Sequence, residues 1–278
     1  MSSSTPIYPC IWFDDNANEA AKIYCSIFEN SGITSESPIV TTFELAGQPF
    51  MALNGGPIFK PNPSISFSVQ CDSDDEINSL WNALSQDGSI LMPLDSYEWS
   101  DKYGWVQDRF GVNWQLSITD STETSQKITP SFLFTGALFG NAEKAMLFYT
   151  SVFENSEITS LLKYTENGIE AVKHAQFKLA NVSFTAMDSS LDHDFQFNEG
   201  ISLIVHCENQ KEIDLYWNTL TKDGSEQQCG WLKDQFGVSW QIVPDILSEL
   251  MNDEKRAPRV IQAFMKMTKL DIKALESA

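Results

Sequence analysis

Apolar positions along the chain fall into short runs whose period alternates between two and 3.6 residues, and that alternation recurs four times. Residues 7–13 form a β-rich run. They lead into a stripe at Ala17, Ala20, Ala21, Tyr24, Ile27 and Phe28 that predicts an amphipathic helix. Residues 41–45 and 49–53 alternate on either side of Ala46-Gly47, the signature of a hairpin. The pattern then restarts. Residues 64–69 alternate strictly, residues 72–75 supply N-cap candidates, and Ile77, Leu80, Trp81 and Leu84 stripe a second helix ended by Gly88. Trp105-Val106 and residues 112–118 flank Asp108-Arg109-Phe110-Gly111, a hairpin turn whose glycine can take positive φ. Strand, helix, three strands, and the same again, make two βαβββ modules.

The whole arrangement then repeats. Tyr24, Phe28, Glu29, Asn30 and Ser31 return as Tyr149, Phe153, Glu154, Asn155 and Ser156. Gly104-Trp105, Asp108, Phe110-Gly111-Val112 and Trp114-Gln115 return as Gly230-Trp231, Asp234, Phe236-Gly237-Val238 and Trp240-Gln241. Trp81-Asn82 returns as Trp217-Asn218 at a longer offset, because the loops between elements differ in length. The expected organisation is domain one at 1–120, a polar linker at 121–127, domain two at 128–244 and a helical tail at 245–278. In the tail Pro258 suits a first helical turn, and Val260, Ile261, Phe264, Met265 and Thr268 make one apolar face. The tail is expected to pack across the domains or onto a partner subunit.

Composition narrows the function classes. A formal charge of −20 over 278 residues repels nucleic-acid phosphates and anionic membranes, so neither is expected as a partner. No apolar run approaches the roughly 18–20 residues of a membrane helix. The first residues lack the basic and apolar regions of a secretion signal. Five scattered cysteines without a Cys-x-x-Cys pair suggest reduced thiols and a cytoplasmic location.

The module order, together with Pro9…Trp12-Phe13, the Gly-Trp-x-x-Asp-x-Phe-Gly-Val-x-Trp-Gln motif and Leu53-Asn54-Gly55-Gly56-Pro57, resembles the vicinal-oxygen-chelate superfamily of glyoxalases, extradiol dioxygenases and bleomycin-resistance proteins. The branch most similar is the PhnB-like one, labelled 3-demethylubiquinone-9 3-methyltransferase-like. The resemblance spans 6–118 and 128–244. It implies an α+β fold: tandem glyoxalase-like domains, each of two βαβββ modules forming a curled, open mixed sheet, with a C-terminal helical tail. It also implies that the two modules of one domain lie side by side around a cup.

Metal-using members hold a divalent ion in that cup. The resemblance puts their first-strand His at Tyr8 and Thr129, and their last-strand Glu at Gln115 and Gln241. Neutral side chains at these positions argue against a glyoxalase-type metal centre. No metal or cofactor is expected, and no Gly-x-Gly-x-Gly turn is present to hold S-adenosylmethionine in the common way.

Candidate cup residues are Tyr8, Trp12, Asn54, Trp114 and Gln115 from domain one, and Thr129, Phe134, His174, Asp188, Trp240 and Gln241 from domain two. Adjacent strand residues face opposite sides, so one of Trp114 and Gln115 must point away. Trp99 lies in a 94–103 segment that domain two shortens, which makes it a candidate lid. Of the three histidines, His174 is the best placed to reach a cup. His206 ends a strand where domain one has Gln70, and there a surface or hydrogen-bonded role is the simpler reading; His193 sits in a loop.

The expected activity is binding of a small molecule in a cleft. The alternatives are a metal-using lyase, isomerase or transferase, or a non-catalytic structural or regulatory partner protein. The chain is expected to be a monomer with an internal pseudo-dimer, or a homodimer.

Overall fold

The structure, a computed structural model, describes residues 7–118 and 126–278; the opening residues 1–6 and most of the expected linker, 119–125, lie outside the described residues. Module one comprises β1 (Ile7–Phe13), α1 (Ala17–Ile27), β2 (Gly32–Glu36), β3 (Val40–Leu45) and β4 (Gln48–Asn54). Module two comprises β5 (Ile65–Cys71), α2 (Asp74–Ser85), β6 (Ser89–Tyr97), β7 (Ser100–Gln107) and β8 (Asn113–Ile118). Module three holds β9 (Ile128–Thr135), α3 (Ala142–Val152), β10 (Glu157–Glu166), β11 (Ile169–Leu179) and β12 (Val182–Ser189). Module four holds β13 (Ile201–Cys207), α4 (Gln210–Leu220), β14 (Ser225–Glu226), β15 (Trp231–Lys233) and β16 (Ser239–Pro244).

Local chemistry accounts for these elements. Helix α1 buries Ala17, Ala20, Ala21 and Tyr24, the stripe that its spacing predicts. Ser73 caps α2 by accepting from the Glu76 amide, while Glu76 accepts from the Asp72 amide, a reciprocal capping arrangement. Ala46 and Gly47 both take positive φ, which is what a two-residue hairpin with the right twist requires between β3 and β4.

The strands form two eight-stranded mixed sheets. The first runs β14-β15-β16-β13-β1-β4-β3-β2 and the second β10-β11-β12-β9-β5-β8-β7-β6. This is the expected α+β class of open mixed sheets built from βαβββ modules, but the partners differ from the side-by-side arrangement expected within each copy. Module one joins module four through antiparallel pairing of β1 with β13, and module two joins module three through β5 with β9.

The physical reason lies in the core. Within the first copy, the helix-bearing faces of its two modules pack back to back. Tyr24 of α1 meets Trp114 of β8 at 5.2 Å between ring centroids, and Phe50 of β4 meets Phe67 of β5 at 5.4 Å. That packing leaves the edges of β1 and β5 free to pair with the other copy.

The tail folds as α5 (Ile246–Asn252), α6 (Ala257–Phe264) and α7 (Ile272–Glu276) around Leu247, Leu250, Val260, Leu270 and Leu275. It docks on module four, where the amides of Cys229 and Gly230 donate to the carbonyls of Met267 and Thr268. The single apolar face expected of it is only partly realised: Val260 is buried, whereas Ile261 and Met265 are exposed, because the 3.6-residue stripe is cut into short helices. No helix among the described residues is long and apolar enough to cross a membrane.

Candidate functional site

Each sheet has one face packed on α1–α4 and an opposite face without them; on the first sheet the tail helices reach that opposite face at Val243 of β16. On the uncovered face of the first sheet, strand pairing sets Tyr8, Cys10 and Trp12 of β1 beside Ile204 and Ser202 of β13, Gln241 of β16 and Met51 and Leu53 of β4. Ser202 and Cys10 are buried and Gln241 is only 7% exposed, although α1–α4 pack on the other face. The curl of the sheet and the side chains at its rim therefore close over this floor.

Gln241 donates to Ser202 Oγ at 2.9 Å. Burial pushes the Cys10 thiol up to about 12, against opposing hydrogen bonds from Gln241 and Ser202, so the thiol stays neutral. At one end of the floor Trp12 meets Phe59 and Trp231 edge-on, at 5.1 and 5.9 Å. At the other end Tyr8 Oη lies 2.8 Å from His206 Nε2, and His206 Nδ1 lies 3.1 Å from Asp245 Oδ1. Beside β15, Lys233 pairs with the buried Glu199 at 2.9 Å, so both charges there are compensated.

The second sheet repeats this plan with different side chains. Gln115 of β8 donates to Ser66 Oγ of β5 at 2.8 Å and accepts from Tyr103 Oη at 2.7 Å. Ser131 and Thr129 of β9 complete the floor, both nearly buried. Trp105 pairs with Gln115 across β7 and β8, as Trp231 pairs with Gln241. Its indole Nε1 is buried without a hydrogen-bond partner. Beyond this floor the 94–103 segment extends the β6–β7 hairpin, with Trp99 stacked on Tyr97 at 5.0 Å and edge-on to Tyr103 at 5.9 Å.

The expected cup residues divide sharply. Tyr8, Trp12, Gln115, Thr129 and Gln241 lie on the uncovered faces. His174 lies there too, near the outer strands of the second sheet; it is solvent-accessible, and desolvation by the surrounding protein lowers its imidazole pKa. Each floor, however, mixes residues from both copies.

Trp114, Trp240 and Phe134 are corrections, since all three are fully buried on the helix side. Asn54 and Asp188 are corrections as well. Asn54 accepts from the Ala17 amide and Asp188 from the amides of Gly140, Ala142 and Val172, so both clamp helix starts.

Sequence reasoning did not single out Cys10, Ser66, Ser131 or Ser202. Their alternation was legible, but which strands met was not.

The Gly-Trp-x-x-Asp-x-Phe-Gly-Val-x-Trp-Gln motif is explained by a buried carboxylate. Asp108 accepts from Tyr24 Oη at 2.6 Å, Trp114 Nε1 at 2.9 Å and the amides of Phe110 and Val112. Asp234 does the same with Tyr149 at 2.7 Å, Trp240 at 2.8 Å and the amides of Phe236 and Val238. The motif therefore ties helix, turn and strand together, while its first Trp and its terminal Gln face the floor.

The family model described as 3-demethylubiquinone-9 3-methyltransferase matches twice, over residues 5–117 and 126–243. The chain belongs to this family. This chain carries the family's unit twice, as a tandem vicinal-oxygen-chelate fold. The PhnB protein of Bacillus cereus is 37% identical over 40% of this chain and 96% of its own, with a TM-score of 0.38. A protein from Pseudomonas aeruginosa is 26% identical over 40% of this chain and 95% of its own, with a TM-score of 0.36. Glyoxalase I from Zea mays is 12% identical, covers 89% of this chain and 95% of its own, and gives a TM-score of 0.56, a likeness of fold. No curated protein matches the chain.

Two groups that these likenesses imply can be tested against the side chains. A divalent ion would be ligated from the four central strands of a sheet. On the first sheet those strands present Tyr8, Cys10, Met51, Ser202 and Gln241 as neighbours, with the Cys10 thiol held neutral by burial, and on the second Thr129, Thr185, Ser66 and Gln115. A set without carboxylate or thiolate does not fit a divalent ion. No cluster of three or more His, Cys, Asp or Glu occurs among the described residues.

A nucleotide-like methyl donor held in the common way would need an open glycine turn. The turn at Gly55-Gly56 is instead closed by Trp12, whose indole donates to the Gly56 carbonyl at 2.7 Å and would sit 2.1 Å from a Cβ at Gly55. That turn does not fit such a donor either.

Proposed function

We propose that the chain is a small-molecule binding protein of the 3-demethylubiquinone-9 3-methyltransferase family, and that it takes an uncharged, partly aromatic ligand on the uncovered face of each sheet without a divalent ion. The observation that carries this reading is the matched pair of neutral floors, Ser202 with Gln241 and Ser66 with Gln115, each flanked by an indole. An amide fixed by a serine offers its remaining N–H and an oxygen lone pair to a polar ligand edge, while indoles cover a ring. On the second floor the unpartnered Trp105 Nε1–H adds a donor that a ligand carbonyl would satisfy. Free thiols at Cys10, Cys25, Cys71, Cys207 and Cys229 support a reducing compartment such as the cytoplasm.

The test is a thermal-shift and calorimetric screen of neutral aromatic compounds against the full chain in chelator. Saturable binding that is lost in Gln241→Leu or Gln115→Leu is the expected outcome. Binding that needs one bound divalent cation per floor would overturn the reading.

A further inference from the structure

Resting on that reading of the first floor, we propose that Tyr8, His206 and Asp245 form a proton relay that takes up the acidic hydroxyl proton of a planar phenolic ligand. The three side chains come from both copies and from the start of the tail, and they meet only because β1 pairs with β13. The Asp245 carboxylate can only accept, so the 3.1 Å contact requires a hydrogen on His206 Nδ1. That leaves a lone pair on Nε2, and the 2.8 Å contact is then Tyr8 donating its hydroxyl hydrogen to His206. With its hydrogen directed to the imidazole, Tyr8 Oη keeps its own lone pairs for a ligand hydroxyl.

Tyr8 shares its face with Trp12, and four strand residues separate the two Cα atoms by about 13 Å, a span that matches one ring system. The indoles of Trp12 and Trp231 stand at the far end, where the ring's edge would rest.

The transfer is balanced without any other reagent. The ligand O–H bond breaks and its electron pair stays on the ligand oxygen; its proton bonds to Tyr8 Oη as the original Tyr8 proton moves to His206 Nε2. The product is a phenolate ligand and an imidazolium facing Asp245, which is a positioning residue. Burial chiefly, with the Asp245 carboxylate adding to it, raises the Tyr8 pKa, which keeps the phenol itself neutral and makes it a conduit rather than the final base. The second sheet has Thr129 and Gln70 at the corresponding positions, so only one floor carries the relay.

The test uses the full chain and 4-nitrophenol, a planar phenol whose phenolate absorbs visible light, buffered below its own pKa. Wild type is expected to bind it and show the phenolate band. Tyr8→Phe and His206→Gln are expected to bind the probe more weakly and, at saturating probe, to leave it as phenol, and Asp245→Asn to lower the phenolate fraction. Using both Tyr8→Phe and His206→Gln keeps the test decisive if one variant misfolds. Wild-type binding without the band, or a band that survives both substitutions, overturns the relay and leaves the floor as a binding site. No binding by wild type, or binding unchanged by Gln241→Leu, overturns the relay together with the first floor as a site for such rings.

Discussion

Replacing Asp234 with Asn tests whether the repeated aspartate is a strained structural charge. Its carboxylate is 3% exposed and receives four hydrogen bonds, yet burial outweighs them and lifts its pKa from 3.8 to about 6. A raised folded-state value means that the native protein holds this proton more tightly than the unfolded chain does. Its stabilising contribution is therefore complete below about pH 4 and is lost as pH rises through about 6. The shift of roughly two units corresponds to about 3 kcal/mol over that window, of which about half falls between pH 5 and 7.

Asn keeps one acceptor oxygen but turns an amide N–H towards a donor, a pH-independent cost of about 1–3 kcal/mol. Urea unfolding at steps from pH 5 to 7.5 reads both effects. Asp234→Asn should be less stable than wild type at pH 5, and the gap should narrow by about 1.5 kcal/mol towards pH 7. Two stability curves that run parallel across this range would refute the reasoning.

Sharing of sheets between copies predicts that residues 1–125 expressed alone do not form a stable monomer. The exposed edges of β1 and β5 should pair with a second molecule, and size-exclusion chromatography should find a dimer or an insoluble product. Gly200→Ala should cost about 1–3 kcal/mol in thermal or urea unfolding, since its new Cβ would lie 2.2 Å from the Lys60 carbonyl oxygen where two module connections cross.

Periodicity made the modules legible. Each alternating or 3.6-residue run named above has its counterpart among the elements, because those runs record local burial. The parity argument over Trp114 and Gln115 was sound in form and open in outcome; the indole bond to Asp108 decides it, placing Trp114 inside and Gln115 on the floor. Asn54 and Asp188 looked like cup residues because they end strands beside the cup, but each bonds instead to the start of its own module's helix, α1 or α3. Sheet partnership left no trace in either strand. The alternation of Ser202, Ile204 and His206 is the same whether β13 pairs with β5 or with β1, and only the second choice carries His206 to Tyr8.

The two floors share no module, so one duplicated sequence can support two different sites. Here each floor combines the first half of one copy with the second half of the other, in opposite order. Substitutions in modules one and four therefore accumulate in the first floor without touching the second. Tyr8 and His206 stand in the first where Thr129 and Gln70 stand in the second, and Trp12 where Leu133 stands.

The surroundings of the floors have diverged in the same sense. The long β6–β7 hairpin carries Tyr97, Trp99 and Tyr103 towards the second floor, while in module four the matching hairpin is reduced to β14 and β15 and the tail docks against it. A ligand that fits one floor therefore meets a different rim at the other. Equal affinity at both would be surprising for any molecule large enough to touch the rim.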